Sequence, residues 1–241
     1  MLRLGQVDYI NTLPLFSALS CGEIDAPFEI VHGHPSELNE KLRTGEIDAG
    51  FISSYEFIKN RELYELVEPF CLAAYHKLDS VTLHVRGNID ELEHQRVALT
   101  SASASSSALV RLLFRHYWQI EPHFEPLESI DEATSYRAFL LIGNAAMTHP
   151  HFHGYHAIDL AATWYQWTQT PMVFAVVAHR KETPKSLIDL LRRRLDQSLS
   201  WGERHLDELA GGLHHDYFQQ MGYRMGERER AGLEHFAALV N

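Results

Sequence analysis

The sequence is poor in cysteine, in positive charge and in long apolar runs. Its two cysteines, Cys21 and Cys71, lie too far apart for a metal pattern and are too few for a disulfide framework. Both are expected to be buried small hydrophobes rather than reactive thiols. Lysine and arginine total 21 against 32 acidic residues, giving a formal net charge of −11 with histidine neutral. This balance argues against a broad basic surface for nucleic acid or an anionic membrane. The longest basic cluster, Arg192-Arg193-Arg194, falls in a run that reads as helix, and a solvated face is expected there. No stretch approaches the roughly 20 apolar residues of a membrane span. Met1 to Gly5 lead straight into a strand-like segment, with no basic region before a long apolar run. No export signal is expected, and the expected compartment is the cytoplasm. Glycine and proline are scattered, so neither disorder nor a composition-marked linker is indicated.

What is present is an alternation of strand-length apolar runs with segments of helical period. Expected strands are 3–9, 28–32, 49–53, 66–75, 81–86, 96–100, 139–142, 156–159 and 172–179. Expected helices are 12–20, 35–44, 54–59, 105–118, 160–169, 184–209 and 227–239. The alternation predicts α/β units with mainly parallel sheets. Thr12 with Pro14, and Ser36 after Pro35, have the chemistry of helix starts, while Gly45 fits a C-terminal stop. Short strand crossings near residues 80 and 172 would make one lobe of 1–80 plus 173–241, with 81–172 as an inserted second lobe.

Three polar strand ends are candidate sites. Residues Thr100 to Ser107, Thr-Ser-Ala-Ser-Ala-Ser-Ser-Ser, follow a strand and precede an apolar helix. Hydroxyls and free backbone N–H groups at a helix start can hold an anion without a formal positive charge. Simple N-capping accounts for the same residues equally well. Ile52-Ser53-Ser54-Tyr55 and Tyr9-Ile10-Asn11-Thr12 are the other two, and ligands of open α/β sheets bind outside the carboxyl ends of strands. The chain has 16 histidines, four of them crowded as His149, His151, His153 and His156. No cysteine or carboxylate trio completes a metal site beside these, nor beside His214-His215-Asp216, so no metal is expected. His32 and His34 are placed near the crevice with a structural role. Trp164, Tyr165 and Trp167 have the spacing of core or hinge packing. Phosphate loop, dinucleotide glycine fingerprint, nucleophile elbow and zinc-protease histidine pair are all missing, and no cofactor is expected.

Taken in order, these segments resemble one family. Tyr9 to Leu15 match its opening Tyr-(Leu or Ile)-Asn-Thr-Leu-Pro-Leu. Pro35 to Asn39, Gly45 to Asp48 and Ile52 to Ser54 match its Pro-Ser-Glu-Leu-Asn, Gly-Glu-Ile-Asp and Ile-Ser-Ser. Ser80-Val81, Val97 to Ser101 with the following serines, Leu141 to Gly143, Pro171 with Phe174-Ala175, and Ser198 to Gly202 continue the match. The chain resembles the chorismate dehydratases of the futalosine route to menaquinone. Related dihydroxynaphthoate synthases carry a Ser-x-Cys-Pro-Asn-Asp-like opening, from which Tyr9 to Thr12 depart. A non-enzymatic small-anion solute-binding protein is the alternative of another class.

The resemblance implies a type-2 periplasmic-binding-protein-like α/β fold, with two lobes and a ligand cleft between them. It implies conversion of chorismate, a dianion, to 3-[(1-carboxyvinyl)oxy]benzoate and water. Asn11 is the expected catalytic residue, orienting the reacting ring near C3–C4. Ser53, Ser54, Ser80, Thr100, Ser101, Ser103 and Asn144 are the expected substrate-binding residues. The two carboxylates would sit at helix N-termini near Ser54 and Ser103–Ser107. Relatives are expected to carry Asp where this chain has Asn144, and a helix cap would survive that exchange. No nucleic acid or membrane partner is expected, and a homodimer stays open.

Overall fold

The structure is a computed structural model that describes residues 1–209 and 215–240. Among the described residues, eleven strands form two sheets. The first contains β1 (Leu2–Val7), β2 (Phe28–Gly33), β3 (Ala49–Ser53), β4 (Tyr64–Ala74), β10 (Met172–Arg180) and β11 (Met221–Arg224), in the order β11-β4-β10-β3-β1-β2. The second contains β5 (Val81–Val85), β6 (Arg96–Thr100), β7 (His123–Leu127), β8 (Ala138–Ile142) and β9 (His156–Asp159), in the order β7-β6-β8-β5-β9. The chain leaves the first sheet after Ala74 and re-enters it at Met172.

Neither sheet is mainly parallel, contrary to the expectation. β1 runs parallel to β2 and β3, but β10 enters between β3 and β4 antiparallel to both. In the second sheet β6 is parallel to β7 and β8, and β5 is antiparallel to β8 and β9. The cause is topological: the connection returning from the second sheet brings β10 in from the opposite end. Every residue of β3, β5 and β8 is buried. Helices cover both faces of such strands, so their sequences read as apolar runs without alternation.

Helices α1 (Leu13–Ser20), α2 (Pro35–Thr44), α3 (Ser54–Lys59), α4 (Ala104–Leu112), α5 (Gly143–Thr148), α6 (Leu160–Thr168), α7 (Lys185–Arg204), α8 (Leu206–Leu209), α9 (His215–Gln219) and α10 (Glu227–Val240) complete the fold. Pro35 opens α2 at its first position, and Gly45 closes it at φ +81°. The N-cap is His34 rather than Ser36, with Glu37 accepting from the His34 N–H at 3.2 Å. Thr12 does occupy the cap of α1, but its hydroxyl donates backward to Val7 and Tyr9 carbonyls at 2.7 and 2.8 Å. It stiffens the turn out of β1 instead of capping. The helix expected over 105–118 is α4 followed by a π-helical stretch, Leu113–Trp118, which Gln119 ends at φ +58°. Trp164 is fully buried against Phe236 and Trp167. Cys71 is buried, and burial pushes its thiol up, whereas Cys21 is exposed at the end of α1, against expectation. Arg192 and Arg193 are exposed on α7.

A smaller core covers the outer face of the second sheet. There His84 of β5 stacks on Phe139 at 5.0 Å and meets Phe152 edge-on at 5.0 Å. Desolvation lowers the His84 pKa from 6.5 to about 4. The unfolded chain therefore takes up this proton near pH 6.5, and the folded chain takes it up only near pH 4. Stability from the neutral ring is complete above pH 6.5 and declines as pH falls toward 4, by about 2 kcal/mol at pH 5. Thermal unfolding at pH 7 and pH 5 checks this. His84→Leu should flatten the difference, and an equally steep loss in the variant refutes the assignment.

Candidate functional site

The carboxyl ends of β1 and β3 and the amino end of β10 face the start of β5, the start of α4 and the β8–α5 junction across one cavity. The space between its lining atoms is about 550 Å³, counted to the open mouth. Among the described residues, its lining contains no Asp, Glu, Lys, Arg or His. The polar groups are Asn11, Thr12, Ser53, Ser80, Ser103 and Ser106, together with the phenol of Tyr9, whose pKa burial raises.

Asn11 sits in a 3₁₀ turn, Ile10–Thr12, that carries the chain from β1 into α1. Its backbone carbonyl accepts the Tyr223 hydroxyl of β11 at 2.9 Å. Its side chain is 9% exposed, and its Oδ1 is buried with no hydrogen-bond partner. An unpaired buried carbonyl costs about 1–3 kcal/mol, so the fold holds it at a loss, as binding sites do.

Ser53 ends β3 and caps α3. Its Oγ accepts from Glu56 N at 3.1 Å and from Asn39 Nδ2 at 3.0 Å, while Asn39 Oδ1 takes the Ser53 N–H at 3.0 Å. With both lone pairs engaged, the hydroxyl can only donate. Ser80 accepts the Tyr217 hydroxyl at 2.8 Å and likewise keeps its own hydrogen to give. Ser103 caps α4, accepting from Ser106 N at 3.3 Å and donating to Ser106 Oγ at 2.9 Å. Gly143, at φ +56°, brings the start of α5 against the Tyr9 ring, where a Cβ would lie 3.3 Å from ring carbons. A side chain there would crowd the ring and sit on a backbone conformation that favours glycine.

The structure thus gathers Asn11, Ser53, Ser80 and Ser103 and places the other expected residues elsewhere. Ser54 is fully buried, donating to the Val173 carbonyl at 2.6 Å and lying 3.0 Å from Ser105 Oγ. Ser105 also accepts from Tyr55 N at 3.1 Å, so these serines pin α4 against α3. The α3 start offers no carboxylate site, because its first amides already bond Ser105 and Ser53. Thr100 accepts from Ala102 N at 3.2 Å within its own turn, and Ser101 is exposed. Asn144 does not cap α5: Ile142 holds the cap position, and Asn144 is exposed in the first turn. His34 is exposed beside the mouth, and His32 pairs with Asp8 at 2.6 Å. The four histidines from 149 to 156 are exposed. Among the described residues no group of three or more His, Cys, Asp or Glu converges. His214 and the His215 side chain lie outside the described residues. Among those residues no helix is long and apolar enough to cross a membrane.

Sequence reasoning missed Tyr217, on α9. It is buried, its hydroxyl donates to Ser80 Oγ at 2.8 Å, and burial raises its pKa to about 12. No periodic pattern marks this five-residue helix.

Residues 2–241 match the model of a family described as menaquinone biosynthesis. The chain belongs to that family. Within the menaquinone biosynthesis family, it is similar to a chorismate dehydratase of Thermus thermophilus, at 32% identity over 97% of this chain and 93% of the relative. It is also similar to a 1,4-dihydroxy-6-naphtoate synthase of the same organism, at 22% identity over 86% of this chain and 76% of that one. Among solved structures, a Candida albicans protein described as having the generic periplasmic binding protein fold superposes with a TM-score of 0.67. That match has 12% identity and covers 100% of this chain and 90% of the other. The two-sheet architecture is therefore the periplasmic-binding-protein fold, with the cavity in its cleft.

Proposed function

We propose that this chain is a chorismate dehydratase, a carbon–oxygen lyase acting in the cytoplasm without a cofactor. One observation carries the reading. A cleft cavity lined by no charged side chain among the described residues keeps a buried, unpartnered amide carbonyl beside hydroxyl groups. The likeness to a relative of that name supports it. The reaction removes the ring C3 proton and the C4 hydroxyl, giving 3-[(1-carboxyvinyl)oxy]benzoate and water. Aromatisation drives it, so the protein mainly orients the ring and excludes water, which suppresses rearrangement and loss of pyruvate.

In this reading Asn11 Oδ1 receives the C4 hydroxyl hydrogen and fixes the ring. The Ser103–Ser107 turn, with the α4 amides behind it, holds one carboxylate. Ser53 and Ser80 donate to substrate oxygens. An amide is no base, and among the described residues the lining offers no carboxylate or imidazole. The C3 proton therefore leaves to a carboxylate of the substrate itself or to water. Residues 1–80 with 173–241, and 81–172, would form the two lobes that close on the substrate.

Mass-spectrometric analysis after incubation with chorismate tests the proposal. The expected product is chorismate less one water, with an intact enolpyruvyl ether. Unchanged chorismate in the presence of folded protein overturns it.

A further inference from the structure

Two stretches of chain join the sheets, and one carboxylate holds both. Residues 75–80 lead from the first sheet to β5, and α6 opens the return toward β10. Asp159 ends β9 and caps α6, its Oδ1 accepting from Ala162 N at 2.8 Å. Its Oδ2 reaches the outgoing connection, accepting from Leu78 N at 2.8 Å and from Asp79 N at 2.7 Å. Asp79 adopts φ +59°, a left-handed turn of the kind that points successive N–H groups at one anionic oxygen. Leu78, Ser80 and Val81 all line the cavity. Ser80 itself is buried, its N–H donating to the Leu78 carbonyl and its carbonyl accepting from Gly143 N, both at 2.7 Å.

We infer that Asp159 is a positioning residue: its carboxylate fixes the turn over residues 78–81 and so sets where Ser80 stands in the cavity wall. Its bearing on turnover rests on the dehydratase reading, in which Ser80 donates to a substrate oxygen. Asp159 is not among the lining residues and touches no substrate atom in this scheme. Capping α6 would need only one oxygen. The second oxygen goes to two amides 81 and 80 residues earlier in the chain, where it serves no helix. One side chain thereby ties the outgoing connection to the start of the returning one.

Asp159→Ser separates the two duties. Serine caps a helix about as well as aspartate, but its one short hydroxyl cannot serve Ala162 and the turn together. With chorismate, kcat/KM should fall about 10–100-fold, the scale of a displacement of about 1 Å at a positioned group. In a Ser80→Ala background the same change should cost less than about 3-fold, since the residue it places has lost its hydroxyl. Full additivity of the two losses overturns the inference. Amide hydrogen exchange reads the turn without turnover. Leu78 and Asp79 should exchange at least about 10-fold faster in Asp159→Ser, while Ala162 keeps its protection. Unchanged exchange at Leu78 and Asp79 refutes the hold on the turn. If Asp159→Ser does not fold, Asp159→Asn keeps the shape and makes one end of the side chain a donor. Activity must then follow the protection of Leu78 and Asp79, and activity lost while both stay protected refutes the positioning role. If wild type leaves chorismate unchanged, the dehydratase reading fails, while exchange at Leu78 and Asp79 still decides whether Asp159 holds the turn.

Discussion

Asn11→Ala is expected to cut turnover of chorismate about 10²–10³-fold, the usual loss on removing one preorganised hydrogen-bonding group from a reacting centre. It should do so without a loss of stability. The amide carbonyl has no partner in the empty cavity, and an unsatisfied buried acceptor is a debit to the fold. Taking it away relieves that debit, while the Asn11 backbone keeps its bond from Tyr223. Tyr217 retains its donation to Ser80. The melting temperature should stay level or rise while kcat collapses, the trade expected where a site is built at the expense of stability. Steady-state kinetics and a thermal scan on the same preparation check both halves. Turnover at the wild-type rate removes Asn11 from the mechanism. A lost transition temperature with lost activity would instead mean that the side chain is structural.

The strand ends that carry the cavity were legible because each announces itself locally. Residues 49–53 and 96–100 read as strands with the bounds the structure gives them, and the polar residue at each terminus marks where the chain turns. Asn11, Ser53 and Ser103 could be singled out on that logic, whereas Ser80 came only from the family resemblance. Their neighbours Ser54, Thr100, Ser101 and Asn144 look identical in sequence, but one step along a helix turns a hydroxyl from the cleft to the interior or to water. Ser54 and Ser53 differ in just this way: one lines the cavity, and the other bonds Ser105 and Val173. β7 was missed because Pro126 interrupts its pattern. Proline is tolerated there because β7 is an edge strand paired only with β6. Tyr217 was invisible for a different reason, since its meaning lies in contact with Ser80, 137 residues away.

A second large effect is expected far from the cavity wall, at Gly202. It lies in the segment Ser198-Leu199-Ser200-Trp201-Gly202 of α7, where that helix packs on α1. A Cβ at Gly202 would sit 2.2 Å from the Pro14 carbonyl oxygen and 2.7 Å from Pro14 C and Cα. These are backbone atoms, so no rotamer change can make room, and the two helices must separate. Gly202→Ala should therefore cost more than about 3 kcal/mol, at the severe end of overpacking. In a chain of this length that lowers the melting temperature by about 6–12 °C. Ser198, one helical turn earlier and fully buried, supplies the contrast, because its Oγ has no partner. Ser198→Ala should be neutral or stabilising by up to about 1 kcal/mol. The consequence for function follows from connectivity. Pro14 comes three residues after Asn11, so displacing α1 drags the amide away from Ser80. Any Gly202→Ala protein that folds should then lose kcat, although residue 202 touches nothing in the cleft. Calorimetric scans and chorismate kinetics on the two alanine variants check the contrast. A Gly202→Ala protein as stable and active as wild type would mean that α1 and α7 do not pack as closely as the Pro14 distances require.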